Sequence, residues 1–200
     1  MRILFINQFY IPDTAATGQL LADVAESLAG EGHEVHVICS RCRYNGGADR
    51  AAAREIVNGV TVHRVGATGF GRRTAIGRLV DWLSFYLLAM WQAFRLPKID
   101  VCVALTTPPF ISLISLLLWK VRGTRNVIWA MDLYPDIAVA YGVLRRESLT
   151  YRLLTRLNRL LYRNAAAVIS LGEVMAEHLQ SLGALPESLY TVHNWVPGEM

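Results

Sequence analysis

A chain of 200 residues is long enough for one well-buried core and short for two full domains. With 53% hydrophobic and only 18% charged residues it is too apolar for a disordered segment. The net charge of +4, from eighteen arginines and two lysines against sixteen acids, favours a phosphorylated ligand or an anionic membrane surface. No aromatic-basic RNA motif or zinc-finger spacing accompanies it, so nucleic acid is not an expected partner.

The chain opens on Arg2 to Asn7, a β-prone run followed by polar Gln8, which reads as a strand and not as a signal peptide. With three cysteines that form no even framework (Cys39, Cys42 and Cys102), this makes the cytoplasm the default location. A helix over Gly18 to Ala29 carries Leu20, Leu21, Val24, Ala25 and Leu28 on one stripe, and Glu34 to Cys39 is a second strand. Beyond a basic loop, Asn58-Gly59 sits between two β-prone runs over 55–65, the signal for a hairpin. A long helix from about Ile76 to Arg95 is apolar beyond the needs of one packing face. It is either buried between the sheet and its neighbours or partly inserted in a membrane interface, with Arg72, Arg73 and Arg78 on lipid and Trp82 and Trp91 at the boundary.

The second half reads as strand Val101 to Leu105, turn Thr106 to Pro109, helix Phe110 to Val121, strand Asn126 to Met131 and loop Asp132 to Gly142. Helix Leu149 to Arg163, strand Ala166 to Ser170, helix Glu173 to Leu182 and strand Leu189 to His193 follow. The apolar run from Phe110 to Trp119 is about half the ~20 residues that a spanning helix needs. Alternating strands and helices predict a Rossmann-like, doubly wound, mainly parallel α/β sheet of about seven strands, with helices on both faces and a small hairpin excursion. One domain over 1–193 is expected, with 194–200 as the start of a linker.

Ligands of such sheets collect at the carboxyl ends of the strands. The first loop, Gln8 to Gly18, lacks the GxGxxG arrangement, which removes the main support for NAD or FAD, although its small residues admit a close backbone approach. Asp132 stands at a strand end, where a carboxylate can accept a hydroxyl proton; a turn or cap is its plainer role. Asp136 beside Pro135, the hydroxyls of Thr106 and Thr107, and Gly172-Glu173 at a helix start each admit a ligand or an ordinary turn. Cys39-Ser40-Arg41-Cys42 runs from a strand into an arginine-rich loop, without the two further ligands that zinc requires, so no metal is expected.

Arg2-Ile3-Leu4-Phe5-Ile6, the small-residue loop and Gly32-His33-Glu34-Val35-His36-Val37 together resemble the amino-terminal domain of family 4 retaining glycosyltransferases of the GT-B fold. Thr107-Pro108-Pro109, Asp132-Leu133-Tyr134-Pro135-Asp136, Val168-Ile169-Ser170-Leu171 and Val192-His193-Asn194-Trp195-Val196 look like its bacterial O-antigen and colanic-acid type. The resemblance implies an acceptor-side half, with Asp132 catalytic, Thr17, Gly18, Thr106, Thr107 and Asp136 around the acceptor, and Gly172 and Glu173 toward the donor phosphates. It implies a nucleotide-sugar donor held by a carboxyl-terminal domain absent from these residues, a saccharide or polyprenyl-linked acceptor, no cofactor, and a place on the inner face of the cytoplasmic membrane. Met131 occupies the position where many members carry a histidine, and a thioether cannot replace the imidazole hydrogen bond. Two other readings stay open: a noncatalytic acceptor- or membrane-binding subunit that recruits a donor-binding chain, and, more remotely, a nucleotide-dependent epimerase or oxidoreductase.

Overall fold

The structure, a computed structural model, describes residues 1–41, 52–66 and 75–196, with the backbone alone at 75, 76, 78 and 79. In chain order its elements are β1 (Arg2–Ile6), α1 (Ala16–Gly30), β2 (Glu34–Ser40), β3 (Arg54–Val57), β4 (Val60–Val65), α2 (Ala75–Arg95) and β5 (Val101–Ala104). Then come α3 (Ser112–Arg122), β6 (Arg125–Trp129), α4 (Asp136–Ala140), α5 (Leu149–Arg163), β7 (Ala167–Ser170), α6 (Glu173–Ser181) and β8 (Leu189–Thr191). The strand order is β3-β4-β2-β1-β5-β6-β7-β8, which reverses beside β1 as a doubly wound sheet requires. The chain divides into two compact units, Met1–Cys102 with Trp195–Met200, and Val103–Asn194.

In the first unit, β2 buries every residue from Val35 to Ser40, the near-continuous run of a strand covered on both faces. Asn58 and Gly59 take φ values of 48° and 83°, the left-handed pair that a two-residue hairpin turn demands. The hairpin is more than an excursion. β4 pairs in parallel with β2 from His36↔Thr61 to Ser40↔Val65, and β3 pairs antiparallel with β4, so both join the sheet and bring it to eight strands.

Helix α1 begins two residues earlier than its apolar stripe suggests. Asp13 Oδ1 accepts the Ala15 N–H at 3.2 Å, and the Ala15 carbonyl takes the N–H groups of Gly18 and Gln19. Helix α2 buries Phe85, Ala89 and Ala93, with Leu96 just beyond its end, while Leu83, Leu87 and Trp91 are 53%, 63% and 64% exposed. Its surplus apolar surface therefore faces outward and is not sandwiched between neighbours. Trp195, in the expected linker, belongs to this unit and donates from Nε1 to Asp23 Oδ2 at 2.9 Å.

The unit also carries a polar ladder that runs from the exposed Glu34 to the buried His36 and His63. Arg2 pairs with Glu34 at 2.7 Å, Glu34 with His36 at 3.1 Å, His36 with His63 at 3.2 Å, and His63 with Gln92 of α2 at 3.1 Å. Burial, with His36 and Arg54 adding smaller contributions, lowers the His63 pKa to about 4. His63 is thus neutral at pH 7.

The second unit packs Leu116 of α3, Ile128 of β6, Leu161 and Tyr162 of α5, Val168 of β7 and Leu179 of α6 into one core. Each such side chain contributes about 1.5–3 kcal/mol by leaving water. Ser148 caps α5 by accepting the Tyr151 N–H on Oγ at 3.1 Å. Gly123, at φ 70°, closes α3 with a left-handed residue whose N–H reaches the Trp119 carbonyl. Among the described residues no helix is long and apolar enough to cross a membrane.

Candidate functional site

In the second unit, Thr106 lies two residues beyond β5, and Met131 and Asp132 lie just beyond β6. Thr106 Oγ1 accepts both the Met131 N–H at 3.0 Å and the Asp132 N–H at 2.9 Å. A hydroxyl oxygen has two lone pairs, so both are occupied and only its proton remains to offer a ligand. Thr106 thereby fixes the strand end that carries Asp132. Met131 contributes only its backbone N–H to this clamp.

Thr106, Phe110, Asp132, Tyr134, Asn158 and Tyr162 line a pocket of about 280 Å³ including its open mouth. Its enclosed end has room for little more than a water-sized group, so it admits a hydroxyl and leaves the rest of a ligand outside. Burial raises the pKa of Asp132. Among the described residues no cation or hydrogen-bond donor reaches its carboxylate. The result is a half-desolvated carboxylate with better proton affinity than a surface one, facing an opening that fits a hydroxyl.

Four of these lining residues, Phe110, Tyr134, Asn158 and Tyr162, escaped the sequence reading. Phe110 is counted there as the first residue of a helix, but it has a φ of 64°, a conformation that bulky side chains avoid, and the helix starts only at Ser112. Tyr134 is held by Asn158, whose Nδ2 donates to its carbonyl. Asn158 did leave a signal: it is a lone amide in the inward stripe of α5, between Leu154 and Leu161, where an apolar residue is the default.

The other expected site residues fall in different surroundings. Thr107 is half-buried in the same turn as Thr106. Asp136 begins α4, and three partners reach its carboxylate: Tyr151 Oη at 2.9 Å, His178 Nε2 at 3.0 Å and Arg146 at 3.5 Å. It ties α4 to α5 and α6, and Tyr151 has a raised pKa from burial and from this hydrogen bond. Gly172 precedes α6 in extended backbone with nothing within 4 Å of where a Cβ would stand, and Glu173 opens the helix exposed.

Thr17 and Gly18 lie in the first turn of α1, in the first unit. A Cβ on Gly18 would meet the Phe9 carbonyl carbon and oxygen and the Tyr10 nitrogen at 3.2 Å, so the loop's own backbone uses that space. Thr17 is half-buried, 3.5 Å from Asn7 Nδ2. Arg64, nearly enclosed, donates to the Ile11 carbonyl at 2.7 Å and pairs with Glu55, which pins the same loop. Of the membrane candidates, Arg72 and Arg73 lie outside the described residues, as does the Arg78 side chain. Trp82 is half-buried, and Trp91 is exposed beneath the Arg95 guanidinium. Cys39 is buried with its pKa pushed up to about 12 by that burial, hence an inert thiol, and Cys42 lies outside the described residues. Among the described residues no three His, Cys, Asp or Glu side chains converge as metal ligands.

Residues 16–195 match the family model of the glycosyl transferase 4-like domain. The chain belongs to that family. A relative from Pseudomonas aeruginosa, described as "Probable glycosyltransferase WbjE", is 31% identical over 121 residues, which are 56% of this chain and 30% of the relative. Among solved structures, the catalytic domain of starch synthase IV from Arabidopsis thaliana, bound to ADP and acarbose, superposes with a TM-score of 0.65 at 12% identity, covering 98% of this chain and 52% of that one. A sucrose-phosphate synthase from Thermosynechococcus elongatus gives 0.63 at 10% identity, covering 98% and 90%. These identities speak for the fold, which is that of one Rossmann-like half of a GT-B glycosyltransferase. The chain spans less than a third of the length of the curated relative and about half of the starch synthase domain.

Proposed function

We propose that this family member forms the acceptor-side half of a retaining glycosyltransferase. A nucleotide-sugar donor, held by a carboxyl-terminal domain, gives up its sugar to a lipid-linked saccharide in surface-polysaccharide assembly. The observation that supports this reading is the half-desolvated carboxylate of Asp132, without a partner among the described residues, beside an opening sized for a hydroxyl. The acceptor hydroxyl enters that opening and hydrogen-bonds to Asp132, which takes its proton as the donor's sugar–phosphate bond breaks, the nucleotide leaves with that electron pair and the new glycosidic bond forms on the same face of the sugar. The Thr106 proton and the aromatic surfaces of Phe110 and Tyr134 orient the sugar, so positioning supplies much of the rate. Thr107 lies beside this acceptor end, and Asp136 acts through α4 on Tyr134 and Pro135. Gly172 and Glu173 face the donor phosphates. No cofactor or metal enters the scheme. The protein would work at the inner membrane surface, beside a polyprenyl-linked acceptor.

The test is sugar transfer by the longer protein that carries this chain, against a panel of nucleotide sugars and lipid-linked acceptors. Asp132→Asn should reduce kcat by about 10²–10⁴-fold with the fold intact. Wild-type turnover in that variant would remove Asp132 from the chemistry.

A further inference from the structure

The outer face of α5 carries a pattern that the packing of its unit leaves unused. Leu157, Asn158, Leu161 and Tyr162 turn inward. Leu149, Leu153 and Leu160 are 75%, 60% and 46% exposed, and Arg152, Arg156, Arg159 and Arg163 are exposed as well. At about 100° per residue, the three leucines fall within about 40° of one another, and the four arginines fill about 60° directly beside them. The helix contains no acid, and none of these arginines has an ion-pair partner among the described residues. Two adjacent stripes therefore run along a helix about 22 Å long, one apolar and one cationic.

We propose that α5 is a membrane-docking helix, lying flat on a bilayer that contains anionic phospholipid, with its leucines at the acyl boundary and its arginines on lipid phosphates. A nucleic acid would engage the arginines and leave the leucines in water. A bilayer surface satisfies both stripes at once, because arginine stems lie along apolar surface while their guanidinium groups reach the phosphate layer. Helix α2 also exposes leucines and Trp91, over which the Arg95 guanidinium stands, so the test compares variants of both helices. This assignment does not depend on the transfer chemistry, since lipid binding is measured without donor or acceptor.

The experiment is co-sedimentation of the full chain with phosphatidylcholine vesicles, with and without phosphatidylglycerol, at low and high salt. Binding should require phosphatidylglycerol and weaken with salt. Each arginine removed should weaken it about fivefold, so Arg156→Gln with Arg163→Gln weakens it about 25-fold. Leu153→Ser with Leu160→Ser should release the protein from phosphatidylglycerol vesicles even at low salt. All these positions are solvent-facing, and far-UV circular dichroism checks the fold. Should a double variant unfold, Leu153→Cys on a Cys42→Ser background, carrying an environment-sensitive fluorophore, should shift to the blue only with phosphatidylglycerol. Three results would overturn the proposal: no binding by the wild type, binding that the α5 variants leave unchanged while Leu87→Ser with Trp91→Ser abolishes it, or self-association without lipid that the α5 variants remove.

Discussion

Replacing Thr106 by valine separates what its hydroxyl does from what its volume does. Valine keeps the β-branched shape and removes the oxygen that accepts the N–H groups of Met131 and Asp132 at 3.0 and 2.9 Å. An amide deprived of its acceptor in the interior costs about 1–3 kcal/mol. All three residues are half-buried, so water reaches part of this strand end and each loss sits at the low limit. Together they come to about 2 kcal/mol. In urea, with a slope of roughly 2 kcal/mol/M, the unfolding midpoint should fall by about 1 M. Thr106→Ser retains the oxygen and should recover most of that, losing only a methyl group worth about 0.8 kcal/mol. Thr106→Val within about 0.5 kcal/mol of wild type, or a serine variant as damaged as the valine one, would refute the clamp.

Gly18→Ala should destabilise the first unit by about 1–3 kcal/mol, because the new methyl meets fixed backbone of Phe9 and Tyr10 at 3.2 Å. Gly172→Ala, with open space around the added carbon, should stay within about 0.5 kcal/mol of wild type; both are read from denaturant curves. Because burial raises the folded pKa of Asp132, its ionised form opposes folding, and this penalty develops as pH rises through that pKa. Asp132→Asn should therefore be more stable than wild type at neutral pH, with the gap closing once both folded and unfolded carboxyls are protonated in acid. His63 has the opposite sign: its folded pKa, lowered to about 4, gives stability that is full above about 6.5 and is lost as pH falls toward 4. A pH series of unfolding curves should show that loss, of order 2–3 kcal/mol, shrinking in His63→Gln.

Most strands and helices were legible because periodicity is local. The run of buried residues in β2, the Asn58-Gly59 turn and the apolar stripe of α1 each announce themselves within a dozen residues. What stayed hidden depended on partners far along the chain or on single backbone angles. Nothing near the hairpin reveals that Thr61 to Val65 will pair with His36 to Ser40, so its two strands read as an excursion. Helix α4 is five residues long, too short for a period to register, and it follows Pro135, which reads as a turn. Phe110 looks like a helix-starting aromatic until its φ is known. At the site, Asp132 and Thr106 could be named from their strand ends, but their link through Thr106 Oγ1 required the two turns to be placed together.

The position of these exceptions bears on function. Many polar groups elsewhere are answered: Arg64 by Glu55 and the Ile11 carbonyl, Asp136 by Tyr151, His178 and Arg146, His36 by Glu34 and His63, although Asn7 Oδ1 and Tyr10 Oη are buried without a hydrogen-bond partner among the described residues. Three features break local rules of folding: the carboxylate of Asp132, without a partner among the described residues, the left-handed backbone of Phe110, and the amide of Asn158 in an apolar stripe. All three line one pocket. Each is a cost to stability, from desolvated charge, from backbone strain or from a buried amide that must be satisfied. Costs that fold requirements alone created would be scattered through the core, whereas costs kept for chemistry gather where a ligand must be met. A selection for stability starting from this chain should therefore alter Asp132, Phe110 and Asn158 early, and the variants that gain most stability there should be those that lose transfer.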